Sequence, residues 1–295
     1  MSNLYIVTVA TDPEYYFSYL VDTCKKNGKE IVVLGYGEKW KGFTWRFKLM
    51  LEYIETLKDD DIVCFVDGYD VICTRDLNEM IESFNTIIYK HKCKIIVGYH
   101  YNINSFFKMC EYIFFGNIIN SGTYIGKCKD ILKMLESINR LDMNNKADDQ
   151  VLLCKYYNLN KNEIYIDTKN EIFSTLHSYK RLELDKFYTI KNKQVLLKGT
   201  NIRPFFIHAP NSNYLDNIII KLGYNYDYNN KIKNIIINSC PSTFNKLIKI
   251  YIPYIKQEII KMIDKYKYKI FFIIISILFL LEHYSEQCKF KMFFL

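Results

Sequence analysis

The sequence predicts an α/β fold, a Rossmann-like and mostly parallel sheet flanked by helices. Three observations predict it. Short apolar runs rich in β-branched residues recur at Leu4 to Ala10, Glu30 to Leu34, Asp61 to Val66 and Lys94 to Gly98. Segments of helical spacing lie between them. The runs stop abruptly at glycine or aspartate, and sheets of this kind bind ligands beyond the carboxyl ends of their strands.

The elements follow in order. LYIVTVAT opens as a strand, and Glu14 to Lys26 carries Tyr16, Leu20 and Cys24 at helical spacing. A second strand ends at Gly35 and Gly37. Arg46 to Leu57 is helical by periodicity, and Asp61 to Val66 is a buried strand. Asp76 is placed to cap a helix over Leu77 to Tyr89. Lys94 to Gly98 is the next strand. IINSGTYIG, Ile118 to Gly126, is expected as a strand with a tight glycine turn. Helices are expected over Lys129 to Leu141 and Asp148 to Tyr157. Ile164 to Asp167, Val195 to Lys198 and Phe205 to His208 are expected as strands.

Past about residue 225 the texture changes, which divides the chain into an α/β domain over 1–225 and a helical extension over 226–295. Leu247 to Lys265 suits an amphipathic helix. Ile270 to Leu281, IFFIIISILFLL, carries no charge. A spanning helix needs about 20 apolar residues, so a packed helix and membrane contact through 270–281 stay open. Lys265, Lys267, Lys269, Lys289 and Lys291 flank the run and suit an anionic surface.

The 295 residues are 49% hydrophobic, enough for a sizeable core, and include 26 Tyr and 20 Phe. The net charge of +8 is spread along the chain rather than clustered. No nucleic-acid-binding module accompanies it, so no nucleic-acid partner is expected. The basic excess suits an anionic ligand or simply a solvated surface. Nine cysteines are scattered without zinc-site spacing and are expected as free, mostly buried thiols. The first residues lack a basic start and a cleavage site, so no signal peptide is expected, and the protein is placed in the cytoplasm or at a membrane.

The sharpest chemical feature is VCFVDGYDVI, Val63 to Ile72. An apolar strand ends in Asp67 and Asp70, with Gly68 between them to permit an unusual backbone angle. Two carboxylates at a strand end can grip one divalent cation, and such a cation neutralises a diphosphate leaving group. Tyr69 stands where it can face a nucleobase. A polar turn after a buried strand explains the same residues.

The stretch FVDGYDVICTRDLNEMIESF resembles the glycosyltransferase domain of the procollagen lysyl hydroxylases and related collagen hydroxylysine glycosyltransferases. LYIVTVAT, LGYGEKWKG, IINSGTYIG, ADDQ, IYIDTKNEIF and FFIHAPNSN resemble further blocks of that family, in the same order over about residues 1–225. The resemblance implies a GT-A fold, a UDP-sugar donor such as UDP-glucose or UDP-galactose, and manganese (Mn2+) or another divalent cation. It implies a protein or glycan acceptor, such as hydroxylysine or galactosyl-hydroxylysine of collagen-like protein. Asp67 and Asp70 match the metal-binding aspartates and His208 the third ligand, although alone His208 reads as a histidine closing a strand. Ile6 and Thr8 match positions beside the uridine, Tyr69 a tyrosine on the base, and Trp40 a tryptophan near the donor. Asp148 and Asp149 match the end of an acidic run that orients or deprotonates the acceptor, and capping of a helix explains them equally. Asn120 and Ser121 match a segment beside donor or acceptor.

Three departures stand out. The loop after Trp40 is short, and Arg46 falls where a pocket lysine is expected, a fork in place of a point charge. The acidic run is reduced to two aspartates. The segment after His208 is APNSNY, without the family's glycines and lysine, leaving Arg203 and Lys221 as nearby cations. Two other readings follow: a catalytically degenerate UDP-sugar-binding or membrane scaffold protein, and a nucleotidyltransferase. The latter's glycine-rich basic loop after the first strand is replaced by TDPEYY.

Overall fold

The computed structural model describes residues 2–102, 119–141, 149–177, 182–210 and 213–227, with Ile232 and Ile235. Its elements in chain order are β1 (Leu4–Val9), α1 (Phe17–Lys26), β2 (Ile31–Leu34), α2 (Phe43–Ile54), β3 (Ile62–Val66) and β4 (Val71–Cys73). A 3-10 turn at Leu77–Glu79 leads into α3 (Met80–His91), then β5 (Ile95–Tyr99), β6 (Tyr101–Asn102) and β7 (Ile119–Lys127). After these come α4 (Cys128–Leu141), α5 (Asp149–Leu159), β8 (Ile164–Asp167) and β9 (Phe173–His177). A second 3-10 turn at Leu184–Phe187 precedes β10 (Tyr188–Lys191), β11 (Gln194–Leu197), β12 (Phe206–His208) and α6 (Asp216–Lys221).

The main sheet has the order β2-β1-β3-β7-β5-β8. All its pairings are parallel except those of β7, which runs antiparallel to both β3 and β5. Alternation along each strand feeds two apolar layers. On β3, Val63 and Phe65 join one core with Val7, Val9, Met50, Met134 and Ile138. Ile62, Cys64 and Val66 join the other with Leu4, Ile6, Leu20, Phe84 and Phe206. The α4 residues Ile131, Met134, Leu135 and Ile138 recur every three or four positions and are fully buried, which is why this segment is a helix on the sheet. Asp76 caps the 3-10 turn before α3, its Oδ1 accepting from Asn78 N at 3.0 Å.

A second sheet, β4-β12-β9-β6, sits at the carboxyl end of β3. It has its own apolar cluster, including Tyr16, Ile72, Ile207, Ile218, Tyr226 and Ile232. The three residues of β4 are too few to show a period, and the sequence pattern misses it together with β9. Asp216, in α6, accepts hydrogen bonds from the hydroxyls of Tyr16 and Tyr226. Tyr226 and Ile232 therefore pack with the α/β unit.

Ile118 to Gly126 corrects an expectation. Residues 119–127 are one continuous strand without a tight turn. The register instead slips: Val97 faces Tyr124, while Gly98 faces Asn120. This bulge leaves residues 121–123 without β5 partners, and side chains take the amides of Ser121 and Gly122. Asn120 Oδ1 accepts from Gly122 N at 3.0 Å, and Gln150 Oε1 accepts from Ser121 N at 2.8 Å.

The chain divides into two units, Met1–Cys240 and Pro241–Leu295. The expected helix at 247–265 and the apolar run 270–281 lie outside the described residues, as does Asp148. No helix among the described residues is long and apolar enough to cross a membrane. Cys24, Cys64, Cys73, Cys93 and Cys128 are free thiols, all but Cys93 buried.

Candidate metal and donor site

The site lies where β3 gives way to β4. Asp67 follows the last residue of β3, and its amide is fixed by Gly122 O on β7 at 2.8 Å. Asp70 precedes β4, and its carbonyl accepts from Ala209 N at 2.8 Å. The β4–β12 ladder pairs Val71 with His208, so a histidine 138 positions beyond Asp70 in sequence is brought against the turn. His208 Nε2 lies 3.2 Å from Asp70 Oδ1 and 3.6 Å from Asp67 Oδ2. One ligand atom from each of the three residues falls within 4.8 Å of the others.

These residues fit a divalent cation. The donor set is two hard carboxylate oxygens and one imidazole nitrogen. His208 is 1% exposed, and neither of its ring nitrogens, nor Asp70 Oδ1, is aligned for a hydrogen bond. Burial works against a charged His208, but Asp70 and Asp67 outweigh it and hold the imidazolium above its ordinary range.

Glycine at 122 is required by space. A Cβ there would lie 2.2 Å from Asp67 Oδ2 and 2.7 Å from His208 Cε1. Gly68 acts similarly, and its expected role needs correction. It is not among the positive-φ glycines; a Cβ would come within 3.0 Å of Val9 O and 3.1 Å of Thr8 Oγ1. The turn is pressed against the end of β1.

Arg46 lies in the first turn of α2, which starts three residues before the expected Arg46. Its side chain pairs with Asp67 and with Asp149, the first residue of α5. Both Arg46 and Asp149 are buried, at 7% and 4% exposure. The guanidinium stands 5.5 Å from the Phe65 ring and 5.9 Å from the Phe43 ring.

Around this centre, Tyr69 OH accepts from Thr11 N at 2.9 Å, and the Tyr69 ring meets Tyr15 edge-on. Thr8 is fully buried, with Oγ1 unpartnered. Asn120 is buried, and its Oδ1 accepts from Gly122 N and Thr123 Oγ1. Trp40 is 40% exposed and touches Phe43 and Trp45 edge-on, one ring removed from Arg46. Ile6 has no exposed surface and belongs to the core. Lys221 pairs with Asp185 at 2.6 Å. The sequence pattern did not single out Gly122 or Gln150. A glycine inside an apolar strand run was the available signal for the first.

Residues 1–234 match the family model described as the PLOD GT domain. The chain belongs to this glycosyltransferase family. It is 27% identical over 252 residues to the multifunctional procollagen lysine hydroxylase and glycosyltransferase of Caenorhabditis elegans, covering 74% of this chain and 32% of that protein. It is 27% identical over 190 residues to procollagen-lysine,2-oxoglutarate 5-dioxygenase 2 of Homo sapiens, covering 59% and 25%. The glycosyltransferase thus spans about a third or less of the length of these curated relatives. Among solved structures, a glycosyltransferase involved in glycosylation of the major capsid of PBCV-1 aligns with a TM-score of 0.45 and 10% identity, over 71% of this chain and 93% of that one. The mostly parallel α/β sheet expected for the family is the one this glycosyltransferase adopts.

Proposed function

We propose that this glycosyltransferase moves glucose or galactose from a UDP-sugar to an acceptor hydroxyl, with Asp67, Asp70 and His208 holding Mn2+. The observation that carries the reading is the convergence of these three residues, with the buried His208 Nε2 facing both carboxylates. A divalent ion held there would stabilise charge on the leaving diphosphate. Tyr69, fixed through its hydroxyl by Thr11, offers its ring to the uracil, and Thr8 lies under the same turn. Asn120 Nδ2 is suited to a sugar hydroxyl. Asp149 is suited to orient the acceptor hydroxyl or receive its proton once the Arg46 pair loosens. Relatives named as procollagen-modifying enzymes make hydroxylysine or galactosyl-hydroxylysine of a collagen-like protein the acceptor of choice.

The test is Mn2+-dependent hydrolysis of a UDP-sugar panel by the wild type and by Asp67→Ala/Asp70→Ala. UDP release from one sugar, abolished in the double variant, supports the enzyme and names its donor. UDP binding without turnover moves the reading to a degenerate binding or scaffold protein; the Arg46 pair already on Asp67 favours that second reading. No UDP binding at all sinks the donor site. The same reading places the protein in the cytoplasm or against a membrane through 270–281, on the strength of that apolar run and its flanking lysines. Sedimentation of the full chain with anionic vesicles, lost on deleting 270–281, checks the membrane arm.

A further inference from the structure

Arg46 divides itself between two carboxylates, and Asp67 divides itself between two cationic partners. Arg46 Nη1 meets Asp67 Oδ1 while Nη2 meets Asp149 Oδ2. The other Asp67 oxygen, Oδ2, is the one facing His208 Nε2. The ligand side of Asp67 is thus free of the guanidinium, yet the charge on that ligand is partly cancelled from behind. With His208 neutral, as a metal ligand must be, Asp67, Asp70 and Asp149 against one guanidinium leave two formal negative charges, which one divalent cation balances. Arg46 and Asp149 are almost wholly out of water, and the Phe43 and Phe65 rings lie near the guanidinium. Water therefore screens these charges weakly. A lysine at this position would meet both carboxylates through a single nitrogen, whereas the guanidinium gives each carboxylate its own Nη.

We propose that Arg46 is a positioning residue that couples divalent-cation binding at Asp67 to Asp149 at the start of α5. This rests on the metal reading given above. A cation on Asp67 Oδ2 places like charge beside the guanidinium and shifts it toward Asp149. Conversely, loss of the Asp149 charge concentrates the guanidinium on Asp67 and weakens the ion. The two effects are one coupling free energy and are reciprocal. Metal uptake then reports on the state of the carboxylate that the acceptor meets.

The test measures Mn2+ affinity of the full chain, without donor or acceptor, from the electron paramagnetic resonance signal of free Mn2+. Wild type, Arg46→Met, Asp149→Asn and the double variant form a cycle. Arg46→Met is expected to tighten Mn2+ by about tenfold or more. Asp149→Asn is expected to loosen it by about threefold or more, and by less than about twofold when Arg46→Met is also present. Equal factors for Asp149→Asn in both backgrounds overturn the coupling. So does an Arg46→Met protein that is folded and binds Mn2+ no more tightly than wild type. Should Arg46→Met fail to fold in a thermal melt, Arg46→Gln takes its place in the same cycle. Wild-type affinity that is lost in Asp70→Ala, together with an additive cycle, rejects the coupling alone; wild-type protein that takes up no Mn2+ rejects the metal reading as well.

Discussion

Gly122→Ala puts one methyl group into the space between Asp67 and His208 of the candidate metal site. The added Cβ would stand 2.2 Å from Asp67 Oδ2, 2.7 Å from Asp67 Cγ and 2.7 Å from His208 Cε1. Ordinary contact needs roughly 3.4 Å or more, so something must move by about 1 Å. The backbone cannot simply withdraw, because Gly122 O holds Asp67 N at 2.8 Å and the next residue, Thr123, is paired with Val66 on β3. Overpacking of this kind costs about 1–3 kcal/mol, which for a domain of this size lowers the melting temperature by roughly 2–12 °C. The more telling effect is on the ligands. A 1 Å displacement of Asp67 breaks a three-point site, and Mn2+ affinity should fall by about tenfold or more. Gly126→Ala, four residues along the same strand, is the control. Its Cβ meets Ile131 Cδ1 at 2.9 Å in the core, away from the ligands. It should lower the melting temperature while leaving Mn2+ affinity within about twofold. A Gly122→Ala protein that binds Mn2+ as the wild type does would refute the geometry argued for the site.

Three further outcomes are expected. Asp167, buried at the end of β8, is pushed up to about 6 by burial, although the amides of Phe173, Glu171 and Ile172 donate to it. Because its folded value is raised, its contribution is full below the ordinary carboxylate range and is lost as pH rises through about 6, a swing on the order of 3 kcal/mol. Urea melts of wild type and Asp167→Asn between pH 4 and 7 should diverge in slope; identical slopes would contradict this. Tyr69→Phe removes the acceptor for Thr11 N and should cost about 1 kcal/mol in thermal melts while keeping UDP affinity. Tyr69→Ala should lose UDP affinity as well, and equal UDP affinity in both would take the ring off the base. Asp76→Ala removes the cap before α3 and should cost about 1 kcal/mol with no change in Mn2+ affinity; a change there would mean the cap reaches the site.

The sequence shows the main sheet well because each strand is an apolar run long enough to carry its own signal. Ile62–Val66 is buried at all five positions, and Ile164–Asp167 falls where its four residues predict. Strand direction is another matter. Alternation is the same for parallel and antiparallel neighbours, so the reversal of β7 is invisible in IINSGTYIG, and its glycine reads as a turn when it is a close approach. The second sheet is harder still. Val71–Cys73 has three residues, and its partner Phe206–His208 lies more than 130 positions away in sequence. That pairing is what brings His208 against Asp70.

The candidate site divides along the same physical line. Asp67 and Asp70 are legible because local geometry suffices: a strand end, a three-residue spacing and a small residue between them. The Arg46 bridge has no such signature. It depends on α2 starting at Phe43, so that Arg46 occupies a first turn beneath Phe43, and on α5 starting at Asp149. Each helix start alone reads as ordinary, and capping accounts for Asp149 without any site at all. Only the tertiary placement puts the guanidinium behind Asp67. An arginine substituted for an expected lysine would be a mild change on an exposed helix. Between two buried carboxylates it converts a point charge into a bridge, and the affinity cycle at Arg46 and Asp149 measures that conversion directly.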